Sequence, residues 1–137
     1  MLVKFDCKQK LCAPDGVAKL MKDILSLEGE FDREKEHFWV IGLNTLNAIK
    51  YIDLVSIGII NSCPTHAREV FRFAVLKGVS SIIIAHNHPG GSIRPSTDDE
   101  RTTKYLVDSG NILNITVIDS IIIAEEGYYS FKENNRI

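Results

Sequence analysis

Cysteine is scarce in this chain and neither sign of charge dominates, and both shortages narrow what it can be. The 137 residues include only Cys7, Cys12 and Cys63. An odd number excludes a closed disulfide framework and points to a reducing compartment, the cytoplasm. Cys7-x4-Cys12 lacks the second pair that a zinc knuckle needs, and Cys63 has no oriented histidine beyond His66 to make it a thiol nucleophile. Sixteen Lys and Arg against eighteen Asp and Glu leave a net charge of −2. The basic residues are scattered, which argues against a general nucleic-acid binder. No apolar run approaches the roughly 20 residues of a membrane span. Met1 to Lys8 lacks the apolar core and cleavage-like site of a signal peptide. There is no internal repeat and no low-complexity stretch. With 45% hydrophobic residues, the composition predicts one soluble domain, 1–137, with a true core.

Patterning supplies the elements. Residues 1–13 show no clear periodicity and suit an edge strand or a loose arm. Pro14-Asp15 opens a helix with Val17, Leu20, Met21, Ile24 and Leu27 at helical spacing; arm and helix together occupy 1–30. Glu28-Gly29-Glu30 stops it, and Asp32 to Glu36 reads as a charged connector. Phe38 to Leu43 and Ile49 to Ile57 are strand-like runs joined by a short turn, hence an antiparallel hairpin. Gly58-Ile59-Ile60 reads as a third short strand. Ser62-Cys63-Pro64 then starts a helix with Ala67, Val70, Phe71, Ala74 and Val75 on one face, closed by Lys77-Gly78. An apolar strand at 80–85, a loop at 86–95 and a helix from Ser96 to about Ser109-Gly110 follow. Three runs, Ile115–Ile118, Ile121–Ala124 and Tyr128–Phe131, look like closing strands. The predicted class is an α/β (α+β) sandwich with a mixed, mostly antiparallel sheet.

One stretch reads as chemistry: Ala85-His86-Asn87-His88-Pro89-Gly90-Gly91 through Pro95-Ser96-Thr97-Asp98-Asp99. Residues i and i+2 of a strand point the same way, so His86 and His88 can converge at the strand's end. Asp99 lies eleven positions beyond His88, across a Gly/Pro loop able to bring it back. Two imidazoles and a carboxylate make three ligands for a divalent metal, with the open fourth position of a catalytic rather than structural zinc site. Ser96 and Asp99 have a second reading. Ser-x-x-Asp ahead of a helix is the reciprocal capping pattern, which stabilises a helix by about 1 kcal/mol without any function. On this reading an Asp99 side chain folded back on its own helix cannot also hold a metal.

The same residues resemble the signature of the JAB/MPN/JAMM metalloprotease superfamily: His-x-His, seven residues, Ser, two residues, Asp. All four positions match. The details are similar to the bacterial RadC-like branch, as are Ala67-Arg68-Glu69-Val70-Phe71 and Tyr128-Tyr129-Ser130-Phe131, and the likeness spans 36–131. Departures are Gly90 in place of a serine, Ser120 after Asp119 where many members carry Asp-His, and no helix-hairpin-helix segment ahead of the domain, which counts against a DNA role.

The resemblance implies a curved sheet flanked by helices in a JAB/MPN-like, cytidine-deaminase-like sandwich. It also implies zinc on His86, His88 and Asp99, with the metal acidifying a water and polarising a scissile carbonyl. Ser96 would donate to the oxyanion, and an upstream glutamate would act as general base. Glu36, which introduces a strand as in the family, is the best match; Glu69 is the rival and Glu34 the third. The implied activity is a zinc metallopeptidase acting on an amide or isopeptide bond of a peptide or protein substrate. The alternatives are a metal-containing interaction module without catalysis, or the DNA-repair association that the RadC name carries.

Overall fold

The computed structural model describes residues 1–5, 13–58 and 66–137. All three cysteines, and the run expected as a third short strand beyond Gly58, lie outside the described residues. Helix α1 (Pro14–Ser26) starts with proline in its first turn, where the missing N–H costs nothing. It buries Val17, Ala18, Met21 and Ile24, whereas Leu27, at its C-cap, is exposed. The expected charged connector contains a single helical turn, α2 (Glu30–Arg33). Strand β1 (Glu36–Leu43) then pairs antiparallel with β2 (Ile49–Gly58).

The helix expected after this hairpin is described from His66 onward as two pieces, α3 (Ala67–Val70) and α4 (Arg72–Lys77), broken at Phe71. Val75 is exposed, not part of the buried face. Gly78, left-handed at φ 64°, caps α4. Strand β3 (Ser81–Asn87) is buried throughout. Helix α5 (Thr97–Leu113) runs past Gly110 and ends on Asn114 in the left-handed conformation. The chain returns over Gly110 and leaves no room for a side chain: a Cβ there would meet the Ile115 carbonyl oxygen at 2.3 Å. The first two of the three expected closing strands are one, β4 (Thr116–Ala124), followed by β5 (Gly127–Ser130). The polar pair Asp119-Ser120 lies inside β4 because it is satisfied there. Asp119 accepts from Ser130 Oγ, Ser120 N and Lys132 N, and Thr103 Oγ1 donates to Ser120 Oγ.

Among the described residues, five strands form one mixed sheet in the order β2-β1-β3-β4-β5. Only β3 and β4 are parallel; the other pairs are antiparallel. At its outer edge, β2 is joined by the first residues, Val3 donating to Ile52 O at 2.8 Å. Alternation along the strands divides the core in two. Trp39, Ile41, Ile83, Ala85 and Ile121 face α1; Phe38, Val40, Ile82 and Ile84 face the opposite layer of Val70, Phe71, Ala74 and Leu106. The α+β sandwich with a mostly antiparallel sheet flanked by helices is the expected class. Among the described residues, no helix is long and apolar enough to cross a membrane.

Candidate metal centre

The site forms where β3 leaves the sheet. His86 is directly opposite Phe38 in the antiparallel register, and the two rings stack at 6.1 Å. Two residues on, His88 follows the same face, and its N–H donates to Ile123 O at 2.9 Å. The chain then turns, with Gly91 at φ 93°, and the loop is fastened to the β4–β5 turn. Glu126 N–H donates to Gly91 O, and Glu126 Oε2 accepts from Ile93 N. This brings the N-terminus of α5 back over the histidines.

There, three side chains converge. His86 Nε2 and His88 Nε2 are 3.1 Å apart. Asp99 Oδ1 is 3.2 Å from the first and Oδ2 3.0 Å from the second. These three side chains could hold a metal ion, and among the described residues they are the group so placed. The spacing fits: bonds of about 2.0–2.1 Å in a tetrahedron put zinc ligands about 3.3 Å from one another. So does the chemistry. His88 Nδ1 lies 2.8 Å from Ser92 O, which can only accept, so Nδ1 carries the hydrogen and neutral His88 presents an Nε2 lone pair to the carboxylate. Lone pairs on His88 and Asp99 facing one another require a cation between them.

A proton can serve in that place as a metal can. The His88 imidazole is raised above its ordinary pKa, first by its hydrogen bond to Asp99, against burial, and further by Ser92 O and by the charges of Asp99 and Glu36. Burial pushes the Asp99 carboxyl up. Its hydrogen bonds to His86 and His88, the His86 charge and the Ser96 N–H outweigh that and hold it well below the usual carboxylate range. His86 Nδ1 is buried and has no hydrogen-bond partner among the described residues.

Asp99 is both helix cap and part of the cluster. Ser96 Oγ accepts from Asp99 N at 3.0 Å and Asp99 Oδ2 accepts from Ser96 N at 2.8 Å, a complete capping box. The capping box and a place in the cluster thus coexist at Asp99, whose carboxylate has two oxygens and lone pairs to spare. Glu36, half-buried, is the first residue of β1. It shares its sheet face with Phe38 by alternation, hence with His86 and His88. Glu69 is exposed on α3 beside Arg72, and Glu34 is the C-cap of α2. His66 is exposed, and His37 is buried against Trp39.

The Ser92 carbonyl and the Glu126 tether had no signal in the sequence, since neither depends on a recognisable motif. A cleft of about 310 Å³ opens beside His88, with Leu25, Pro89, Ile123 and Ala124 as its apolar lining and Lys22 and Arg33 as its cations.

A family model described as the RadC-like JAB domain matches residues 11–136. A UPF0758 protein of Caldanaerobacter subterraneus subsp. tengcongensis is 45% identical, covering 81% of this chain and 52% of that protein. A UPF0758 protein of Alkaliphilus metalliredigens is 40% identical over 92% of this chain and 52% of its own. One from Listeria welshimeri is 41% identical over 89% and 52%. The chain spans about half the length of the curated relatives it matches.

Proposed function

The chain belongs to the RadC-like JAB domain family, and from that premise we propose that it is a zinc-dependent metallohydrolase cleaving a peptide or isopeptide bond. The observation that carries the reading is the convergence of His86, His88 and Asp99 within 3.0–3.2 Å. Two nitrogens and an oxygen suit zinc, and three protein ligands leave a position open. When bound, the ion supplies Lewis acidity to a water and to a carbonyl oxygen.

The chain's own residues supply the rest. Glu36, on the histidines' face of the sheet, takes the proton of the attacking water and returns it to the leaving nitrogen. The Ser96 hydroxyl uses a lone pair for the Asp99 N–H, so its hydrogen is free to donate to the developing oxyanion. A peptide or protein substrate is favoured over nucleic acid by the scattered basic residues and the net charge of −2. A cysteine count of three, too few and odd in number for a disulfide framework, suits a cytoplasmic setting.

The test is cleavage of a proteome-derived peptide mixture by zinc-loaded protein, read by mass spectrometry beside Glu36→Gln and a chelated control. New termini only with the zinc-loaded wild type support the reading. The same termini with Glu36→Gln remove Glu36 from its role, and none with any preparation favours a metal-containing interaction module.

A further inference from the structure

Asn87 stands between the two histidines, and the reading above gives it no part. By alternation its side chain projects to the α1 face of the sheet, behind the site, where it is 2% exposed. Its Oδ1 accepts the His37 N–H at 2.6 Å, and its Nδ2 donates to Lys35 O at 3.0 Å. These two backbone groups flank Glu36. The main-chain ladder between β1 and β3 has its last rung at Phe38–His86. Past it, β3 keeps to β4, with Asn87 opposite Ile123. The start of β1 would part from β3 at this point, and the Asn87 side chain supplies the rung that the backbone does not.

We propose that Asn87 is a positioning residue: by gripping the peptide units on both sides of Glu36 from the reverse face of the sheet, it fixes that carboxylate relative to His86 and His88. The inference rests on the reading of Glu36 given above. The residue type fits the task, because one planar amide offers an acceptor and a donor together, which neither aspartate nor leucine does. The two bonds are not equivalent. Lys35 O also receives His37 Nδ1 at 2.8 Å and keeps a partner without Asn87, whereas the His37 N–H depends on Asn87. Loss of Asn87 therefore frees the backbone immediately after Glu36.

The test needs no substrate. Cobalt(II)-loaded wild type, Glu36→Gln, Asn87→Ala and the double variant are titrated with acetohydroxamate, and binding is followed in the visible spectrum. The ligand releases a proton as it binds, and a carboxylate held beside the metal receives it, so affinity reports the position of Glu36. Glu36→Gln is expected to weaken acetohydroxamate about 10-fold, and Asn87→Ala by a similar factor at unchanged cobalt content, in the range of other supporting-shell changes. The double variant should be no weaker than the weaker single one. A residue needed only for folding would give factors that multiply. Multiplying factors, unchanged binding in Asn87→Ala, or unchanged binding in Glu36→Gln each overturn the inference. If Asn87→Ala does not fold, Asn87→Ser carries the same cycle. A wild type that takes up no cobalt refutes the metal centre itself; a non-additive cycle in a protein that cleaves no peptide refutes only the hydrolase.

Discussion

The same Asp99 oxygen, Oδ2, faces His88 Nε2 at 3.0 Å and accepts the Ser96 N–H at 2.8 Å. The N-terminal cap of α5 and the candidate metal centre are thus one structure. Anything that binds between Asp99 and the histidines also steadies the first turn of a 17-residue helix.

Substitutions at Asp99 separate these two roles. Asp99→Asn keeps a carbonyl oxygen for the Ser96 N–H and loses the charge; Asp99→Ala loses both. Both variants should fail to retain metal. By urea denaturation of the metal-free proteins, Asp99→Ala should be less stable than Asp99→Asn by about 1 kcal/mol, the usual worth of a cap. Equal stability would mean that the capping bond contributes nothing.

Ser96→Ala should retain metal, lose about 1 kcal/mol of stability with its cap, and hydrolyse about 100-fold more slowly if its hydroxyl serves the oxyanion. Full activity at reduced stability would leave Ser96 as a cap alone.

The protonated His88–Asp99 pair sets a pH signature for the metal-free protein. His88 is raised, so its contribution is complete below about pH 6.5 and is lost as pH rises through its folded value. Asp99 is lowered, so its contribution is present above about pH 3.9 and disappears only as pH falls through its much lower folded value. The pair therefore stabilises the metal-free fold most between these limits and less at alkaline pH. Zinc competes with the His88 proton, so the rise in melting temperature on adding zinc should be larger at pH 8 than at pH 6. Thermal melts in chelator and in zinc check this, and a rise that shrinks with pH would contradict it.

Asp119 tests the closing end of the fold. Its carboxylate receives Ser130 Oγ, Ser120 N and Lys132 N, so Asp119→Ala strands three donors, two of which belong to the buried residues Ser120 and Ser130. A loss of about 3 kcal/mol is expected in denaturant unfolding; Asp119→Asn, which keeps one acceptor oxygen, should lose less.

The sheet, its hairpin and the histidine pair were legible because each rests on local periodicity. Val40, Ile41 and the run Ile82–Ile84 announce strands, and the i, i+2 spacing of His86 and His88 places both on one face. What escaped depends on distant partners. Asp119-Ser120 looks like a break between two strands until Ser130 and Thr103 are seen to satisfy it. Gly110 looks like a helix stop until the returning Ile115 carbonyl explains why no side chain fits. The Asn87 grip joins residues 50 positions or more apart, and no spacing in the sequence points to it. The cap and the cluster at Asp99 seemed exclusive because sequence patterns assign one role to a side chain, whereas a carboxylate can serve several neighbours.

The most direct measurement is zinc per chain by elemental analysis, made in parallel on the wild type and on His88→Ala. Because two imidazoles and one carboxylate converge on a single point, the wild type should hold close to one equivalent, and His88→Ala, left with two ligands, only traces. Equal metal in the two proteins, or none in the wild type after zinc is supplied, would contradict the assignment of this cluster as a metal centre.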